Sequence, residues 1–238
     1  MHIDLRPVAW HAACSEINFS QLMETIPVFE KALPVWLNGL DSEKNIFAGF
    51  RTFFHVPPKA SLTLRITACN IYRAWLNGTV VGWGPARTAH GHARVDEWPL
   101  DGHAKHGKNI IAIEVAGYRV NSYALLDEPP FLQAEVLLNS AVVTATAPLD
   151  SSFTGYRLSH RVQRCVRYSF QRTFAEVYRM EPDSGRWRMN LGAKPPQVEL
   201  AATRTPVLLP RRVPLPALNC RQPVTWVSRG EVSPSSGK

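Results

Sequence analysis

The sequence predicts an all-β protein built as an antiparallel β-sandwich, and three observations carry that prediction. Leu62, Leu64 and Ile66 alternate with Thr63, Arg65 and Thr67, the period-two pattern of a half-buried strand. Asn77-Gly78 sits between two strand-like runs, and this dipeptide supplies the two positive φ angles of a type I′ hairpin at the least steric cost. Short runs of this kind then follow one another with turn residues between them and no helical pattern, so the crossover helices that a parallel sheet requires are lacking.

Taken in order, residues 15–33 place Phe19, Leu22, Met23, Ile26, Phe29 and Leu33 at helix-like spacing behind a Ser15 cap, with Pro27 kinking or splitting the segment. A short N-terminal helical segment is expected there. From about Val35 the period changes to two. The two-residue hairpin loop sets Leu76 opposite Thr79, Trp75 opposite Val80, Ala74 opposite Val81 and Tyr72 opposite Trp83. Tyr72, Ala74, Leu76, Thr79, Val81 and Trp83 then share one face, and Trp75 and Trp83 are expected to be core aromatics. Strands follow over Ala93–Leu100, Ile110–Gly117 and Phe131–Leu138, with turns at Gly107-Lys108-Asn109 and Pro129-Pro130. Beyond Ser140 the pattern weakens. Tyr168–Phe174 reads as a strand that buries Tyr168, Phe170 and Phe174, and the eight prolines from Pro195 onward predict an irregular, extended C-terminal tail.

At 238 residues and 45% hydrophobic, the chain has material for one large or two small cores. Its net charge of +8 is unevenly spread. Residues 1–150 hold 12 Lys and Arg against 14 acidic residues, whereas 151–238 hold 15 against 5, and 13 of those 15 are arginines. The intervals of Arg157, Arg161, Arg164 and Arg167 would gather these side chains on one face of a helix and scatter them on a strand. Nucleic-acid modules interleave aromatics on a platform or present a reading helix, and neither pattern is evident. Pairing with acidic groups of another domain or subunit is therefore the expected role, with nucleic-acid binding the lesser reading.

The sequence shows no membrane-length apolar run and no basic-then-apolar secretory leader, and Ala12-Ala13-Cys14 lacks the apolar stretch of a lipoprotein signal. A cytoplasmic location is the expectation. Cys14, Cys69, Cys165 and Cys220 form no CxxC pair, and neither His90-x-His92 nor His103-x-x-His106 has a close acidic or cysteine partner. No metal or cofactor is expected. The motifs of nucleophilic hydrolases, zinc proteases and nucleotide-binding enzymes do not occur.

Several blocks in order resemble one family. They are Leu64–Ala68, Tyr72-Arg73-Ala74-Trp75-Leu76-Asn77-Gly78, Val81-Gly82-Trp83-Gly84-Pro85-Ala86-Arg87, Val95-Asp96-Glu97-Trp98 and Gly107–Val115. Together they look like the N-terminal sugar-binding-like module of bacterial α-L-rhamnosidases, glycoside hydrolase family 78, with a looser likeness to the accessory sandwich of β-galactosidase-type enzymes. Phe50–Phe54 is similar to the opening strand of that module. Ala175-Glu176-Val177-Tyr178-Arg179 is similar to a later Gly-Glu-x-Tyr-Asp-Ala-Arg block, with Arg179 where the family has Asp. The resemblance implies a jelly-roll, galactose-binding-like sandwich over 35–150, an extension at 1–34, an Arg-rich continuation on the sandwich over 151–210, and a linker over 211–238. That linker would lead to an (α/α)6 catalytic barrel lying outside this sequence. Inverting hydrolysis needs two carboxyl groups roughly 6.5–9.5 Å apart, and in that family the barrel holds them. No catalytic residue is therefore expected here.

The implied function is a non-catalytic accessory module of a rhamnosidase-like glycoside hydrolase that contacts a rhamnose-containing glycan and packs on the barrel or a second subunit. The alternative is a free-standing, lectin-like carbohydrate-binding module. Sugars are held by stacking on an aromatic while planar polar groups take vicinal hydroxyls. Arg87, His90, Arg94, Asp96 and Trp98 form one candidate surface on that basis, and Asn121 and Tyr123 could line the same end. Beside this stands the plainer reading that the charged residues hold the loops together.

Overall fold

The computed structural model describes residues 29–182, 184–189, 196–217, 224–225 and 230. The expected N-terminal helix falls mostly on residues 15–28, outside the described residues, as do Cys14, Cys220 and most of the tail beyond 217. Among the described residues no helix is long and apolar enough to cross a membrane.

Among the described residues, thirteen strands form two sheets. They are β1 (Val35–Leu37), β2 (Ile46–Val56), β3 (Leu62–Ala68), β4 (Ile71–Leu76), β5 (Thr79–Gly84), β6 (His92–Pro99) and β7 (Gly107–Gly117), then β8 (Leu132–Leu138), β9 (Ala141–Ala145), β10 (Thr154–Arg157), β11 (Gln197–Val198), β12 (Leu200–Ala202) and β13 (Val207–Pro210). One sheet runs β12-β1-β8-β3-β6-β13, with β9 also on β8, and the other runs β11-β10-β2-β7-β4-β5. The chain is an all-β sandwich. Every pairing is antiparallel except β13 on β6, which departs from the wholly antiparallel expectation. A parallel neighbour needs a long connection, and the stretch from β10 to β13 provides it.

Alternation builds the core between the sheets. Leu62, Leu64 and Ile66 of β3 and Ala134 and Val136 of β8 meet Tyr72, Ala74 and Leu76 of β4 and Ile111, Ile113 and Val115 of β7. The opposite face of β7 is also covered: Phe47, Ala112, Ala116, Tyr156, Leu158 and Trp187 form a second apolar cluster on the outside of the second sheet. Segment 158–189 makes this outer layer, anchored by Trp187 in a single turn of 3-10 helix, Arg186–Met189. Gly49 permits the close approach, since a Cβ there would stand 2.9 Å from Leu158 Cδ2 and 3.0 Å from Trp187 Cη2.

One expectation for this layer fails, and the choice left open for its arginines, helix or strand, falls to neither. Tyr168–Phe174 is not a strand, and Tyr168 and Phe170 are 80% and 81% exposed. Nor do Arg157, Arg161, Arg164 and Arg167 line a helix: Arg157 closes β10, and the described residues of 158–185 hold only an isolated bridge, Arg161 to Tyr178. The backbone is satisfied in another way. Arg167 donates to the carbonyls of Arg172, Phe170 and Asn121, fixing a turn that a strand partner would otherwise have fixed.

Candidate functional site

The Asn77-Gly78 turn adopts the expected geometry, with φ of 52° and 86°. Leu76 faces Thr79 and Trp75 faces Val80, but a β-bulge then shifts the register, so that Ala74 faces Gly82, Arg73 faces Trp83 and Tyr72 faces Gly84. The slip of one residue turns Trp83 out of the core, where it is 46% exposed, while Val81 stays buried. The physical reason lies in β6. Trp98 already fills the space beneath Gly82, where an added Cβ would meet its Cε2 at 2.5 Å, and Asp96 lies against Gly84. Only glycine fits over these side chains. The Gly82-Trp83-Gly84 alternation was the signal that could have placed Trp83 outside.

The same packing corrects the first candidate surface. Asp96 and Trp98 point inward from β6 and are buried, so they share no surface with Arg87 or His90. The Tyr72 hydroxyl donates to Asp96 Oδ2, Trp98 Nε1 donates to the Tyr72 oxygen at 2.8 Å, and Arg211 Nη1 reaches Asp96 Oδ1 at 2.6 Å. Burial pushes the Asp96 carboxyl above its ordinary value, and the bonds from Tyr72 and Arg211 work against that rise. This network holds the sandwich to the strand that follows it. Arg94 is likewise a tie, donating to the carbonyls of Arg87 and Pro210. His90 lies 3.3 Å from Glu128, whose carboxylate also accepts the Gly91 N–H at 2.6 Å.

Arg87 and Trp83 do meet. They line a cleft of about 200 Å³ at one end of the sandwich, together with His92 and Glu128. Asn121 and Tyr123 are elsewhere: with Phe170 they line a separate, wider cleft of about 490 Å³, divided from the first by the Leu125–Glu128 stretch. The expectation of a single shared surface is therefore corrected to two.

A third constellation was missed by sequence reasoning. Glu114, mid-strand on the outer face of β7, is 3% exposed and surrounded by guanidinium groups: Arg73 Nη2 at 3.2 Å, Arg188 Nη2 at 3.3 Å and Arg161 Nε at 3.7 Å. Arg161 is stacked between the rings of Phe47 at 3.7 Å and Tyr178 at 4.2 Å. Its Nη1 is buried and donates no hydrogen bond, with Glu176 Oε2 3.5 Å away. A cleft of about 240 Å³ opens in front of this cluster, and Trp83 stands on its rim as it does on the first. Among the described residues, no group of three or more His, Cys, Asp or Glu converges as metal ligands would.

These features define a β-sandwich with two clefts that share Trp83 on their rims. No protein-family model matches the sequence, and no curated protein matches it. Solved structures do match. The rhamnosidase of glycoside hydrolase family 78 from Bacillus sp. GL1 superposes with a TM-score of 0.68 at 24% identity, over 78% of this chain and 20% of that one. The α-L-rhamnosidase from Aspergillus terreus gives 0.55 at 16% identity, over 74% and 22%, and that from Dictyoglumus thermophilum gives 0.52 at 14%, over 71% and 19%. The fold is thus one found within family 78 rhamnosidases, and the chain spans about a fifth of the length of those proteins.

Proposed function

We propose that the chain is a non-catalytic accessory module of a larger glycoside hydrolase of the α-L-rhamnosidase type. The observation that carries this is the proportion of the structural matches. Three rhamnosidases accommodate 71–78% of this chain in 19–22% of their own, as expected of one module among several. In this reading the Trp83 end contacts carbohydrate. The half-exposed indole offers an apolar face for a pyranose ring, and the exposed Arg87 guanidinium lining the same cleft offers paired donors to vicinal hydroxyls.

The exposed face of the outer layer supports a second part of the reading. Val166, Tyr168, Phe170 and Met180 are solvent-exposed on one segment, accompanied by Arg164 and Arg179. Large apolar side chains grouped in this way mark a surface that a partner covers. The partner proposed is a catalytic barrel domain or a second subunit presenting acidic groups.

The test is an assay of the purified chain with an aryl α-L-rhamnoside, together with titrations of L-rhamnose, galactose and plant polysaccharides followed by tryptophan fluorescence. The expected result is no turnover above a blank and saccharide binding weakened by Trp83→Ala. Turnover by the chain alone would overturn the non-catalytic reading. A free-standing carbohydrate-binding module is the second reading, favoured by the wide cleft that exposed Tyr123 and Phe170 flank beside Asn121. It predicts saccharide binding that Tyr123→Ala weakens, with no docking to a separately expressed barrel.

A further inference from the structure

We infer that the cleft between Trp83 and Arg161, on the outer face of the second sheet, is a site for a sugar residue that carries a carboxylate, a uronate. The inference rests on the carbohydrate reading above and gives it a substrate class.

Charge is the first observation. Arg73, Arg161, Glu114 and Glu176 line the cleft, and Arg188 joins their cluster from outside it through Glu114. Glu114 is almost fully buried, accepts from Arg73 and Arg188, and has Arg161 Nε 3.7 Å away, so it is engaged by all three arginines. The cluster of three arginines and two carboxylates thus carries a surplus of one positive charge. The cleft itself gains that surplus when Glu176 turns away, in a partly desolvated place where an added anion gains more than at an open surface.

Preorganisation is the second. Stacking between Phe47 and Tyr178 fixes the plane of the Arg161 guanidinium, and its buried Nη1 makes no hydrogen bond. A buried donor without an acceptor is costly, and a fixed planar fork is the geometry that takes a carboxylate by two parallel bonds. Glu176 stands in for such a carboxylate at 3.5 Å. Its side chain is half-exposed and also accepts from the Tyr178 hydroxyl at 2.6 Å, so it can swing aside for an incoming acid.

Shape is the third. The volume of about 240 Å³ suits a single hexose ring, and the walls contributed by Trp83 and Tyr118 supply aromatic surface beside the charge. Phosphate alone would use the arginines but not the aromatic wall.

The experiment compares methyl α-D-galacturonate, methyl α-D-galactoside, inorganic phosphate and a short single-stranded RNA by calorimetric titration at low salt. The proteins are the wild type, Arg73→Gln and Glu176→Gln, each checked for folding by circular dichroism. Both substituted side chains are about half-exposed, so the fold should tolerate them. The uronate should bind at least tenfold more tightly than the neutral galactoside. Arg73→Gln should reduce that preference to twofold or less, and Glu176→Gln should tighten uronate binding several-fold by removing the competing carboxylate. Equal affinity for the two sugars overturns the inference while leaving the carbohydrate reading standing. Phosphate or RNA binding as tightly as the uronate, with the same response to Arg73→Gln, also overturns it. If no saccharide binds the wild type, both the inference and the sugar-contacting reading fail.

Discussion

Replacing Trp187 with alanine should release the outer layer from the sandwich without unfolding the sandwich itself. Trp187 is 1% exposed and packs edge-on against Trp75, with ring centroids 6.5 Å apart, and at 6.2 Å against Tyr156. Its carbonyl accepts from Arg51 at 3.2 Å, and the next residue, Arg188, lies 4.2 Å over the Trp75 ring. Truncating a buried tryptophan typically costs about 3–5 kcal/mol in lost transfer energy and residual cavity. The loss falls on a segment with few other apolar anchors, chiefly Leu158 and the partly buried Phe174, whereas the core between the sheets does not include Trp187. The free energy of opening 158–189 should therefore fall by about 3–4 kcal/mol, raising its open population on the order of a hundred- to a thousand-fold. Trypsin reads this directly because the segment is rich in arginine, and cleavage tracks the open population when reclosing is fast. Mass mapping should show cleavage after Arg161 and Arg188 accelerated by at least a hundredfold, while sites in β2 to β8 stay protected. Unchanged cleavage would mean that the second cluster does not hold the layer. Cooperative loss of all protection would mean that the two clusters form one unit, and either result refutes the reasoning.

Further perturbations test other joints of the structure. Gly49→Ala places a methyl group within about 3 Å of Leu158 and Trp187, and overpacking of this kind should cost about 1–3 kcal/mol in urea denaturation. Gly78→Ala meets both a φ of 86° and the Met189 side chain, so a loss of at least about 1–2 kcal/mol is expected from the turn alone. Arg211→Gln leaves Asp96 buried without its charge partner, a loss of about 3 kcal/mol at neutral pH. The Asp96 carboxyl is already raised by burial, so stability tied to it is full below the ordinary carboxylate value and is lost as pH rises through the folded one. The penalty of Arg211→Gln should thus be larger at pH 8 than at pH 4.5, and an equal penalty would count against it. His160 behaves in the opposite sense: burial and the nearby Arg188 and Arg161 hold its pKa below 6.5, despite opposing pulls from Glu114 and Glu181. Its contribution is full above 6.5 and is lost as pH falls below that value, so His160→Gln should flatten the stability profile between pH 7 and pH 5.

The central sandwich was legible because its strands obey a period of two and its hairpin carries an Asn-Gly turn. Both are local signals. The bulge in that hairpin was not, since nothing between Ala74 and Gly82 breaks the pattern; what forces it is Trp98, fifteen residues beyond Trp83, occupying the inner space. Asp96 and Trp98 were misplaced for the same reason. An acidic residue beside a tryptophan is compatible with a binding surface or with a buried pair, and the partner that decides, Arg211, lies 115 residues away. The outer layer was the least legible part. Its segment has no period because only scattered backbone bonds, such as Val162 N–H to the Val177 carbonyl and Arg179 N–H to the His160 carbonyl, join its arms, and Arg167 bonds three carbonyls where a longer ladder would have done so.

The surplus of arginine in the second half of the chain follows from that construction. A layer without strands of its own has few backbone groups with which to pair to the sheet beneath it, so long side chains must make the connection. Arginine is suited to this because its stem covers apolar surface while its planar head bonds and stacks. Arg161 and Arg188 reach down to Glu114, and Arg161 also stacks on Phe47 of β2. Arg211 closes the sandwich onto Asp96, and Arg157 at the end of β10 bonds Gln163 of the layer. Lysine at these positions would lose the fork and much of the stacking, so the bias toward arginine is itself a sign of connection rather than of a diffuse positive field. Arg164 and Arg179 stand apart, lining a cleft of about 330 Å³ beside Arg161 with no carboxylate partner among the described residues. Substituting both with glutamine should leave the melting temperature nearly unchanged and abolish retention of an acidic partner domain. A large drop in melting temperature would show that these two arginines also serve as internal ties.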